Sequence, residues 1–391
     1  MKIAILGIGT AGIMSLCHTL RWLCPDNSTV TAVYDPAKTI LGVGEASQPR
    51  FVETLFGATD FNFLDDSKEL DATLKLGGNW KNWRKKDFYI SLTAPSYAIH
   101  FNNFKLKEFC FNRFNEKYKD KFQVLEGSIS SLKNNDLYAS ITVNDSEYKF
   151  DYVIDCRGYP TEWDDYSILE NSTVNSALVR QVREPGNWNY TFNQATKNGW
   201  MFGVPLQTRQ GWGYLYNDNI TSREEAIDDI KQISGVDELE LKEFKFKSYY
   251  ANSFFDGRIL KNGNKALFFE PLEGSAGFFY DTALRYLVDY INGKCSVLDV
   301  NSNLLEVAKD SEMFIDFVYH GGSIFNSPFW KYVKENATKK LNKNLKWHHM
   351  VENINFYLKH GGEEPPVYTT GRWSIDHWKS WDKKLGYGYF S

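Results

Sequence analysis

Residues 270–277 combine two carboxylates with a glycine-containing turn that leads into a helical pattern (Glu-Pro-Leu-Glu-Gly-Ser-Ala-Gly). Pro271 biases Glu270 toward an extended backbone, and the segment from Gly274 to Gly277 predicts a turn with exposed backbone N–H groups. The apolar residues that follow have helical spacing (Phe278, Phe279, Ala283, Leu284 and Leu287). The N–H groups of the turn therefore open a helix N-terminus, where an anion binds readily.

Lys75 is a second residue whose side chain could take part in chemistry at this turn. It stands near the end of a stretch predicted to be helical, residues 51–76, just before Gly77 and Gly78. A lysine in the last turn of a helix usually compensates the helix dipole and is solvated, and taken alone the residue favours that interpretation. The turn and Lys75 form a functional site only if other segments of the chain converge on them.

The start of the chain has a dinucleotide-binding fingerprint. A short apolar strand, Lys2–Leu6, is followed by Gly-x-Gly-x-x-Gly and then by a helical pattern (Gly7, Ile8, Gly9, Thr10, Ala11 and Gly12, then Ile13, Met14, Cys17, Leu20 and Leu23). Gly7 allows the tight turn, Gly9 lets the backbone approach a pyrophosphate, and Gly12 lets helix and strand pack closely. The sequence therefore predicts a dinucleotide site, although the fingerprint alone does not separate FAD from NAD.

Two later strands are expected to end beside the nucleotide. The strand Thr29–Tyr34 is followed at once by Asp35, about where the ribose-binding acid belongs. The buried strand at residues 152–155 ends in Asp155, and a glycine turn at Gly158 follows. Both strands place a carboxylate at the edge where the cofactor is expected.

A glycine-rich loop at residues 41–49 contains one acid, Glu45. It ends at Pro49, a residue suited to the first position of a helix. As sequence alone, the loop is also consistent with a surface turn.

The middle of the chain has a mainly β pattern. Helical spacing covers residues 103–118, and residues 122–151 alternate as in a small antiparallel hairpin layer. Residues 172–269 are mostly β, with one helix capped by Ser222.

The end of the chain has a mainly helical pattern, which extends to about Tyr357, whereas the tail from Gly361 is aromatic, rich in glycine and poorly periodic. We therefore expect an α/β protein with a discontinuous, Rossmann-like nucleotide-binding core at residues 1–290. A β-rich substrate region, at about 172–269, is inserted in this core. A mostly helical C-terminal region, residues 291–391, packs on it.

Composition and charge exclude several classes of function. The 391 residues have a formal net charge of −4 and no long runs of lysine or arginine, so nucleic acid and anionic membranes are not expected partners. Five separated cysteines without Cys-x-x-Cys predict neither a disulfide framework nor a zinc site. His348 and His349 are adjacent and would face different ways on a helix, so no metal site is expected. Without a leader pattern or about 18 consecutive apolar residues, we expect a cytoplasmic protein.

The motifs taken together resemble the flavin-dependent tryptophan halogenases. The similarity extends from the N-terminus to about residue 290, with the motifs in the same order. The matching segments are Gly7 to Gly12, Gly42 to Ala46, Lys75 followed by Asn82-Trp83-Arg84, His100-Phe101, Ile154 to Gly158, Trp200 to Pro205, and Glu270 to Glu273. Each match is weak alone, but seven in the same order predict membership of the family and an FAD-binding fold of the flavin monooxygenase type.

The resemblance implies a reaction and its partners. Reduced FAD, made by a separate flavin reductase, and oxygen oxidise a halide (chloride, bromide or iodide) to hypohalous acid. This oxidant is relayed to Lys75, which hydrogen-bonds it or forms a haloamine, and an electron-rich aromatic substrate is halogenated. Glu273 matches the glutamate that orients the oxidant or takes the ring proton, and the backbone N–H groups of Ser275 and Ala276 match the halide site. Lys75 and Glu273 are thus expected to face a shared pocket.

The resemblance also implies the residues that hold FAD. Residues 42–46, which include Gly44 and Glu45, match the family's strap over the flavin. The loop at residues 41–49 that contains them is called the strap. The full set of expected cofactor contacts is Gly7, Gly9, Thr10, Ala11, Gly12, Tyr34, Asp35, Gly44, Glu45, Ala46, Asp155, Gly158, Pro271 and Gly277. The expected substrate pocket comprises Ile90, Leu92, Trp200 and Phe202.

Departures from the family pattern argue against free tryptophan as the substrate. Ile90 and Leu92 occupy the positions of the family's tryptophan-binding His and Phe, and a long segment on the substrate side is missing before His100. Phe202 replaces a tryptophan of the wall that keeps substrate off the flavin. Tyr34 occupies the position of the usual ribose-binding acid, so Asp35 is the alternative. A smaller, more open site for varied electron-rich aromatics fits better.

Two other interpretations are consistent with the nucleotide motifs. A flavin-dependent aromatic hydroxylase would insert oxygen without halide, but it leaves Lys75 and Glu273 without a role. A catalytically silent member would bind flavin or a partner only. The oligomeric state is left open, with a homo-oligomer among the alternatives.

Overall fold

The protein is described by a computed structural model that covers residues 1–25, 27–40, 42, 45–92, 96–235, 239–366 and 369–390, with the side chains of Glu273 and Ser275 excepted. Gly44, predicted to contact the cofactor, therefore lies outside the described residues, as do the side chains of Glu273 and Ser275. The helices are α1 Thr10–Trp22, α2 Pro49–Thr59, α3 Phe63–Asp66, α4 Asn103–Lys117, α5 Arg223–Ser234, α6 Ser275–Ile291, α7 Val297–Tyr319, α8 Pro328–Lys343, α9 Leu345–His360 and α10 Ile375–Leu385.

The strands, in chain order, are β1 Lys2–Leu6, β2 Thr29–Tyr34, β3 Glu45–Ala46, β4 Thr73–Lys75, β5 Gly77–Lys81, β6 Phe88–Ser91, β7 Ala98–Phe101, β8 Phe122–Glu126, β9 Ile129–Asn135, β10 Tyr138–Val143, β11 Ser146–Phe150, β12 Tyr152–Asp155, β13 Tyr166–Ile168, β14 Ser176–Val182, β15 Thr191–Ala195, β16 Trp200–Pro205, β17 Gln210–Tyr216, β18 Lys242–Lys245, β19 Tyr249–Ala251, β20 Ile259–Lys261 and β21 Leu267–Phe268. Single 3-10 turns occur at Gly263–Lys265 and Leu272–Gly274.

A five-stranded parallel sheet, in the order β20-β12-β1-β2-β8, forms the nucleotide-binding half of the fold. Residues 3–6 of its central strand β1 are fully buried, as expected for a parallel strand covered on both faces. The predictions of β1, β2, β12 and the helix after the fingerprint are confirmed. The carboxyl ends of β1, β2 and β12 therefore meet at one edge, where open α/β sheets bind ligands.

The predicted hairpin layer is only partly correct. Strands β9, β10 and β11 form an antiparallel meander, but β8 pairs in parallel with β2 and belongs to the nucleotide sheet. The β8 sequence, Phe122–Glu126, does not reveal whether its partner is parallel or antiparallel, and this distinction decides the sheet to which it belongs.

A seven-stranded sheet, in the order β18-β14-β17-β16-β15-β5-β6, contains most of the predicted β-rich region. The helix predicted at Ser222 is confirmed as α5, which starts with a capping box between Ser222 and Glu225. Strands β5 and β6 come from residues 77–91, before the predicted insertion, so the sheet is assembled from two parts of the chain. The domain boundary placed at residue 290 stays a prediction.

Lys75 lies in a strand, which contradicts the helix expected for residues 51–76. Helix α2 ends where Asp60 adopts the left-handed conformation (φ 56°), and a second left-handed aspartate, Asp71 (φ 52°), precedes β4. Residues in this conformation interrupt a helix. Strand β4 then pairs antiparallel with β7, with Lys75 opposite Ala98.

Helices α6 to α9 confirm the helical pattern predicted as far as about Tyr357, but the tail after Gly361 is also partly helical. Helix α10 buries Ile375, Trp378 and Trp381 at helical spacing, and the two tryptophans contact Phe314 of α7. The glycines and aromatics around α10 obscured this periodicity. None of the helices in the described ranges combines the length and apolarity needed to cross a bilayer.

Candidate functional site

The glycine fingerprint brings β1, α1 and β12 into close contact. Gly7 has a left-handed backbone (φ 86°), and its N–H donates to the Val33 carbonyl oxygen at 2.8 Å. A Cβ at Gly7 would lie 2.8 Å from the Cys156 carbonyl oxygen, and one at Gly12 would lie 1.9 Å from the Gly7 carbonyl oxygen. Both positions therefore need glycine for packing.

Gly9 differs from these two glycines, because a Cβ there would meet no described atom within 4 Å. Gly9 is the N-cap residue of α1, and no acidic residue is described in the first turn of that helix. Open space in front of backbone N–H groups at the positive end of a helix dipole is suited to a phosphate group.

Helix α4 links the fingerprint to the strap loop. The Thr10 hydroxyl donates to Asn103 Oδ1 at 3.1 Å, and the Asn103 backbone N–H donates to Glu45 Oε2 at 3.1 Å. Ala11 is buried beside Gly263, whereas Ala46 is exposed. The structure thus brings Thr10 and Glu45 to one place through Asn103, a residue that sequence reasoning missed.

The end of β2 differs from the sequence expectation. The Tyr34 hydroxyl donates to Glu126, which lies beside it at the end of β8, and accepts from Lys107 Nζ at 2.9 Å. Burial and the bond to Glu126 raise the pKa of Tyr34. Asp35 Oδ1 instead accepts from the Ala37 N–H at 3.0 Å, so it closes its own turn. The exposed Glu126 is therefore a carboxylate at the strand edge that sequence reasoning missed.

Asp155 is buried at the end of β12, where Arg157 compensates its charge. Its carboxylate accepts from Arg157 Nε at 2.8 Å and from Nη2 at 2.9 Å, a bidentate arrangement of high specificity. Gly158 follows in a left-handed conformation (φ 81°), and a Cβ there would meet no described atom within 4 Å. Asp155 thus stabilises a turn that leaves open space at the sheet edge.

The Lys75 ammonium is buried rather than solvated. The residue is 9% exposed, and its Nζ donates to the Ser47 carbonyl oxygen at 3.0 Å. Ser47 is itself fixed, because its N–H donates to the Ile99 carbonyl oxygen at 2.8 Å and its Oγ accepts from the Ile99 N–H at 2.9 Å. A buried ammonium needs such partners, so the end of the strap determines where the amine lies.

The same end of the strap reaches the turn at residues 270–277. A Cβ at Gly274 would lie 3.1 Å from Gln48 Nε2, and one at Gly277 would lie 3.7 Å from Gln48 Cγ. Arg50 adds an ion pair to the buried Asp281 of α6, with Nη1 and Oδ2 3.1 Å apart. Lys75 is therefore bonded to Ser47, whose neighbour Gln48 touches the start of α6.

The turn itself has the predicted form. Pro271 is exposed, residues 272–274 form the 3-10 turn, and α6 begins at Ser275 after Gly274 in the left-handed conformation (φ 64°). Ala276 is half-buried and Gly277 is exposed. The helix start is confirmed, whereas the halide site at Ser275 and Ala276 stays a prediction.

The four predicted substrate-pocket residues separate into two pairs. Ile90 (6% exposed) and Trp200 (1% exposed) lie in the packed core, where Trp200 contacts Trp83 with ring centroids 6.0 Å apart. Leu92 and Phe202 are half-buried. In this structure Ile90 and Trp200 support the core, and only Leu92 and Phe202 retain partly exposed side chains.

Glu270 is an unusual buried acid, 6% exposed, whose carboxylate accepts from the Tyr319 hydroxyl. Burial raises the pKa of Glu270 to about 8, and the nearby Asp316 also raises it. The hydrogen bond from Tyr319 and the charge of Lys340 act in the opposite direction. Burial likewise raises the pKa of Asp316 to about 8. Both acids line a cavity of about 20 Å³ together with Lys340.

A sequence model of the tryptophan halogenase family matches residues 2–94 and 86–356. The chain belongs to the tryptophan halogenase family. Members of this family are flavin-dependent halogenating enzymes, so the family predicted from the ordered motifs is confirmed.

Curated members of the tryptophan halogenase family are distant in sequence. Tryptophan 6-halogenase ThaL of Streptomyces albogriseolus is 24% identical over 303 residues, which cover 72% of this chain and 55% of ThaL. Tryptophan 7-halogenase RebH of Lentzea aerocolonigenes is 21% identical over 426 residues, which cover 85% of this chain and 79% of RebH. The chain thus spans little more than half the length of ThaL.

Solved structures of tryptophan halogenases share the fold. Tryptophan 6-halogenase SttH of Streptomyces toxytricini has a TM-score of 0.80 at 19% identity, covering 100% of this chain and 91% of that one. The flavin-dependent halogenase BrvH of Brevundimonas has a TM-score of 0.78 at 16% identity, covering 98% and 90%. The predicted α/β fold class is therefore confirmed.

FAD, the cofactor implied by the halogenase family, fits the residues at the nucleotide edge. The open space at Gly9 and at Gly158 lies where a dinucleotide would approach the backbone, and Gly7 and Gly12 close the turn behind it. Crowding at Gly7 and Gly12 with open space at Gly9 is the arrangement expected of the fingerprint around a pyrophosphate, and Gly158 adds further open space at the end of β12.

The contrast between Gly9 and Gly12 predicts different defects for the same substitution. Gly12→Ala should lower the free energy of unfolding by at least about 2 kcal/mol, because its Cβ overlaps backbone. Gly9→Ala should change it by less than about 1 kcal/mol, yet weaken FAD binding at least about tenfold. Denaturation and fluorescence titration with FAD measure the two effects. Wild-type FAD affinity in Gly9→Ala would contradict the assignment of the pyrophosphate position.

The raised pKa of Glu270 predicts a pH-dependent stability. In the unfolded chain the Glu270 carboxyl ionises with a pKa near 4.5, whereas in the folded protein it stays protonated up to about pH 8. The free energy of unfolding should therefore fall progressively from about pH 5 to above pH 8. Glu270→Gln should reduce this loss by more than about 1 kcal/mol between pH 5 and pH 8.5. Urea denaturation at several pH values measures it, with the exposed Glu335→Gln on α8 as a control. Parallel profiles for wild type and Glu270→Gln would show that Glu270 is not a buried neutral acid.

Proposed function

We propose that this chain is a flavin-dependent halogenase that acts on an electron-rich aromatic compound other than free tryptophan. The observation that supports it best is the buried Lys75 ammonium, bonded to the Ser47 carbonyl oxygen beside Gln48, which touches the start of α6. A charged donor is thus held inside the protein, next to the turn that contains Glu273. The alternative of an aromatic hydroxylase leaves this donor without an assigned role.

The cofactor would lie along the edge formed by β1, β2 and β12. Reduced FAD would be supplied by a separate flavin reductase. When bound, it would react with oxygen and so supply the oxidising power that converts halide to hypohalous acid. In this proposal the strap residues Glu45 and Ala46 cover the flavin, and Pro271 and Gly277 border it. Glu126 takes the ribose contact, because Asp35 closes its own turn.

Halide binding is assigned to the start of α6. The backbone N–H groups of Ser275 and Ala276 point along the helix axis, where the helix dipole favours an anion. The side chain of Gln48 packs against this turn and restricts access from the strap side.

Lys75 would act on hypohalous acid as a hydrogen-bond donor. The ammonium polarises the oxygen–halogen bond, and the aromatic ring attacks the halogen. A carbon–halogen bond forms, the oxygen–halogen bond breaks, and a proton from Lys75 converts the departing hydroxide to water. The carboxylate of Glu273 accepts the proton lost from the ring carbon, and proton exchange then restores Lys75.

The substrate side supports a compound other than free tryptophan. Ile90 and Leu92 present aliphatic groups in place of the family's tryptophan-binding His and Phe. Neither side chain can stack on an indole as an aromatic side chain does or bond an amino-acid backbone. Leu92 and Phe202 would contact the substrate, with Trp200 and Ile90 supporting them from the core.

Removal of the amine tests this function. With FAD, a flavin reductase, oxygen and bromide, the wild-type protein should brominate phenols or indoles. Lys75→Ala should bind FAD normally, but form at least about 100-fold less product, as when one preorganised donor is lost. Mass spectrometry of the products measures this.

The control is Lys117→Ala, which removes another bonded lysine, 2.8 Å from Asp60, and should leave turnover unchanged. Full activity in Lys75→Ala would rule out the proposed role of the amine. Oxygenated product formed equally well without halide would instead identify an aromatic hydroxylase.

A further inference from the structure

His100 is a fully buried residue of β7, in the small sheet β3-β7-β4 that contains Lys75. It lies opposite Thr73 of β4, two residues before Lys75, and opposite Ala46 of the strap. Both ring nitrogens have partners, Nδ1 with Thr73 Oγ1 at 3.2 Å and Nε2 with Thr191 Oγ1 at 3.1 Å. His100 therefore joins the strand of Lys75 to β15 of the large sheet.

The hydrogen bonds around His100 define its tautomer. Thr73 donates its single hydroxyl hydrogen to the Pro205 carbonyl oxygen at 2.7 Å. The Thr73 hydroxyl oxygen must therefore accept the hydrogen bond from His100. Nδ1 therefore bears the proton, and Nε2 accepts from the Thr191 hydroxyl. The result is a directed chain from Thr191 through His100 and Thr73 to Pro205.

The ring is also neutral. Burial, assisted by the positive charge of Lys75, lowers the pKa of His100 well below its ordinary value. A protonated ring would place a second cation beside the ammonium. The neutral ring instead connects two strands without raising the electrostatic cost of burying Lys75.

Both ends of the chain of bonds lie in neighbouring strands of the seven-stranded sheet. Pro205 ends β16, which also contains Phe202, and Thr191 begins the adjacent β15. These two strands are called the substrate wall. Thr73 and Lys75 are on β4, and the Lys75 amine is bonded to Ser47 at the end of the strap. The backbone that holds Lys75 is thus attached to the substrate wall at Thr73, and its amine is attached to the strap.

We propose that His100 is a positioning residue that holds the Lys75 amine between strap and substrate wall, and so determines how much hypohalous acid reaches the substrate instead of escaping. The inference rests on the proposed function, because it assigns to Lys75 the transfer of the halogen. Loss of the His100 bonds removes the link from β4 through the ring to Thr191, while the Thr73 bond to Pro205 remains. A displacement of about 1 Å at a reacting group can reduce a rate by up to about 100-fold.

The chain provides a matched control in His320. Its Nδ1 lies 2.9 Å from Thr338 Oγ1 and its Nε2 lies 2.9 Å from Tyr389 Oη, while Thr338 donates to the Lys334 carbonyl oxygen at 2.7 Å. The bonding pattern is the same as at His100. His320, however, is bonded to Thr338 of α8 and to Tyr389 of the C-terminal tail, and within the described part of the chain its ring makes no hydrogen bond to the strands of the site.

The test measures how oxidised bromide is divided between two products. Wild type, His100→Leu, His100→Asn, Thr191→Val and His320→Leu are assayed with an indole acceptor and with taurine, which traps escaped hypobromous acid as a haloamine. FAD affinity and melting temperature are measured for each. His100→Leu should transfer about tenfold less bromine to the indole relative to taurine, with total oxidised bromide and FAD affinity unchanged.

The milder variants make the result independent of folding defects. His100→Asn keeps a donor toward Thr73 and Thr191→Val removes only the outer bond, so both should give intermediate ratios. His320→Leu should lower the melting temperature and leave the ratio unchanged. Wild-type ratios in all three variants of the His100 chain, or an equal change in His320→Leu, would overturn the role of His100. Absence of brominated product from wild type would overturn the proposed function itself, and the inference with it.

Discussion

The arrangement of the site depends on one constraint, the burial of a positive charge at Lys75. An ammonium removed from water must find oxygen acceptors, because the cost of leaving it unpaired is several kcal/mol. The Ser47 carbonyl oxygen supplies such an acceptor, and Ser47 is itself held on both sides by Ile99. A backbone carbonyl at the end of the strap therefore helps to hold the amine in place.

The small sheet β3-β7-β4, which contains Lys75, is linked to both parts of the fold. Its strands contribute the strap end, His100 and Lys75, while β5 continues directly from β4 into the seven-stranded sheet. Glu45 and Asn103 link the small sheet to α1 at the nucleotide edge. Thr73 and His100 link it to β16 and β15. A short sheet bonded to both parts can hold a charged donor in a fixed position relative to each, as a relay of a small oxidant requires.

Local chemistry was predictable from sequence, whereas long-range pairing was not. The fingerprint specified β1, the turn and α1, because Gly7 and Gly12 leave no room for a Cβ and Gly9 leaves the backbone open to a ligand. The same logic predicted the start of α6 and the cap of α5. Lys75 was placed in a helix because two left-handed aspartates, Asp60 and Asp71, interrupt a pattern that otherwise suits a helix. The bonds of His100 to Thr191 and of Tyr34 to Glu126 join residues far apart in the chain, and no local pattern indicates such partners.

A crystal structure of the protein with FAD and bromide, using the anomalous scattering of bromine, tests the central claim most directly. The account predicts a bromide peak at the backbone N–H groups of Ser275 and Ala276. The Lys75 amine should lie within hydrogen-bond distance of the Ser47 carbonyl oxygen and face the same channel as the Glu273 carboxylate. A Lys75 amine in bulk solvent, or on the opposite side of the protein from Glu273, would contradict the account.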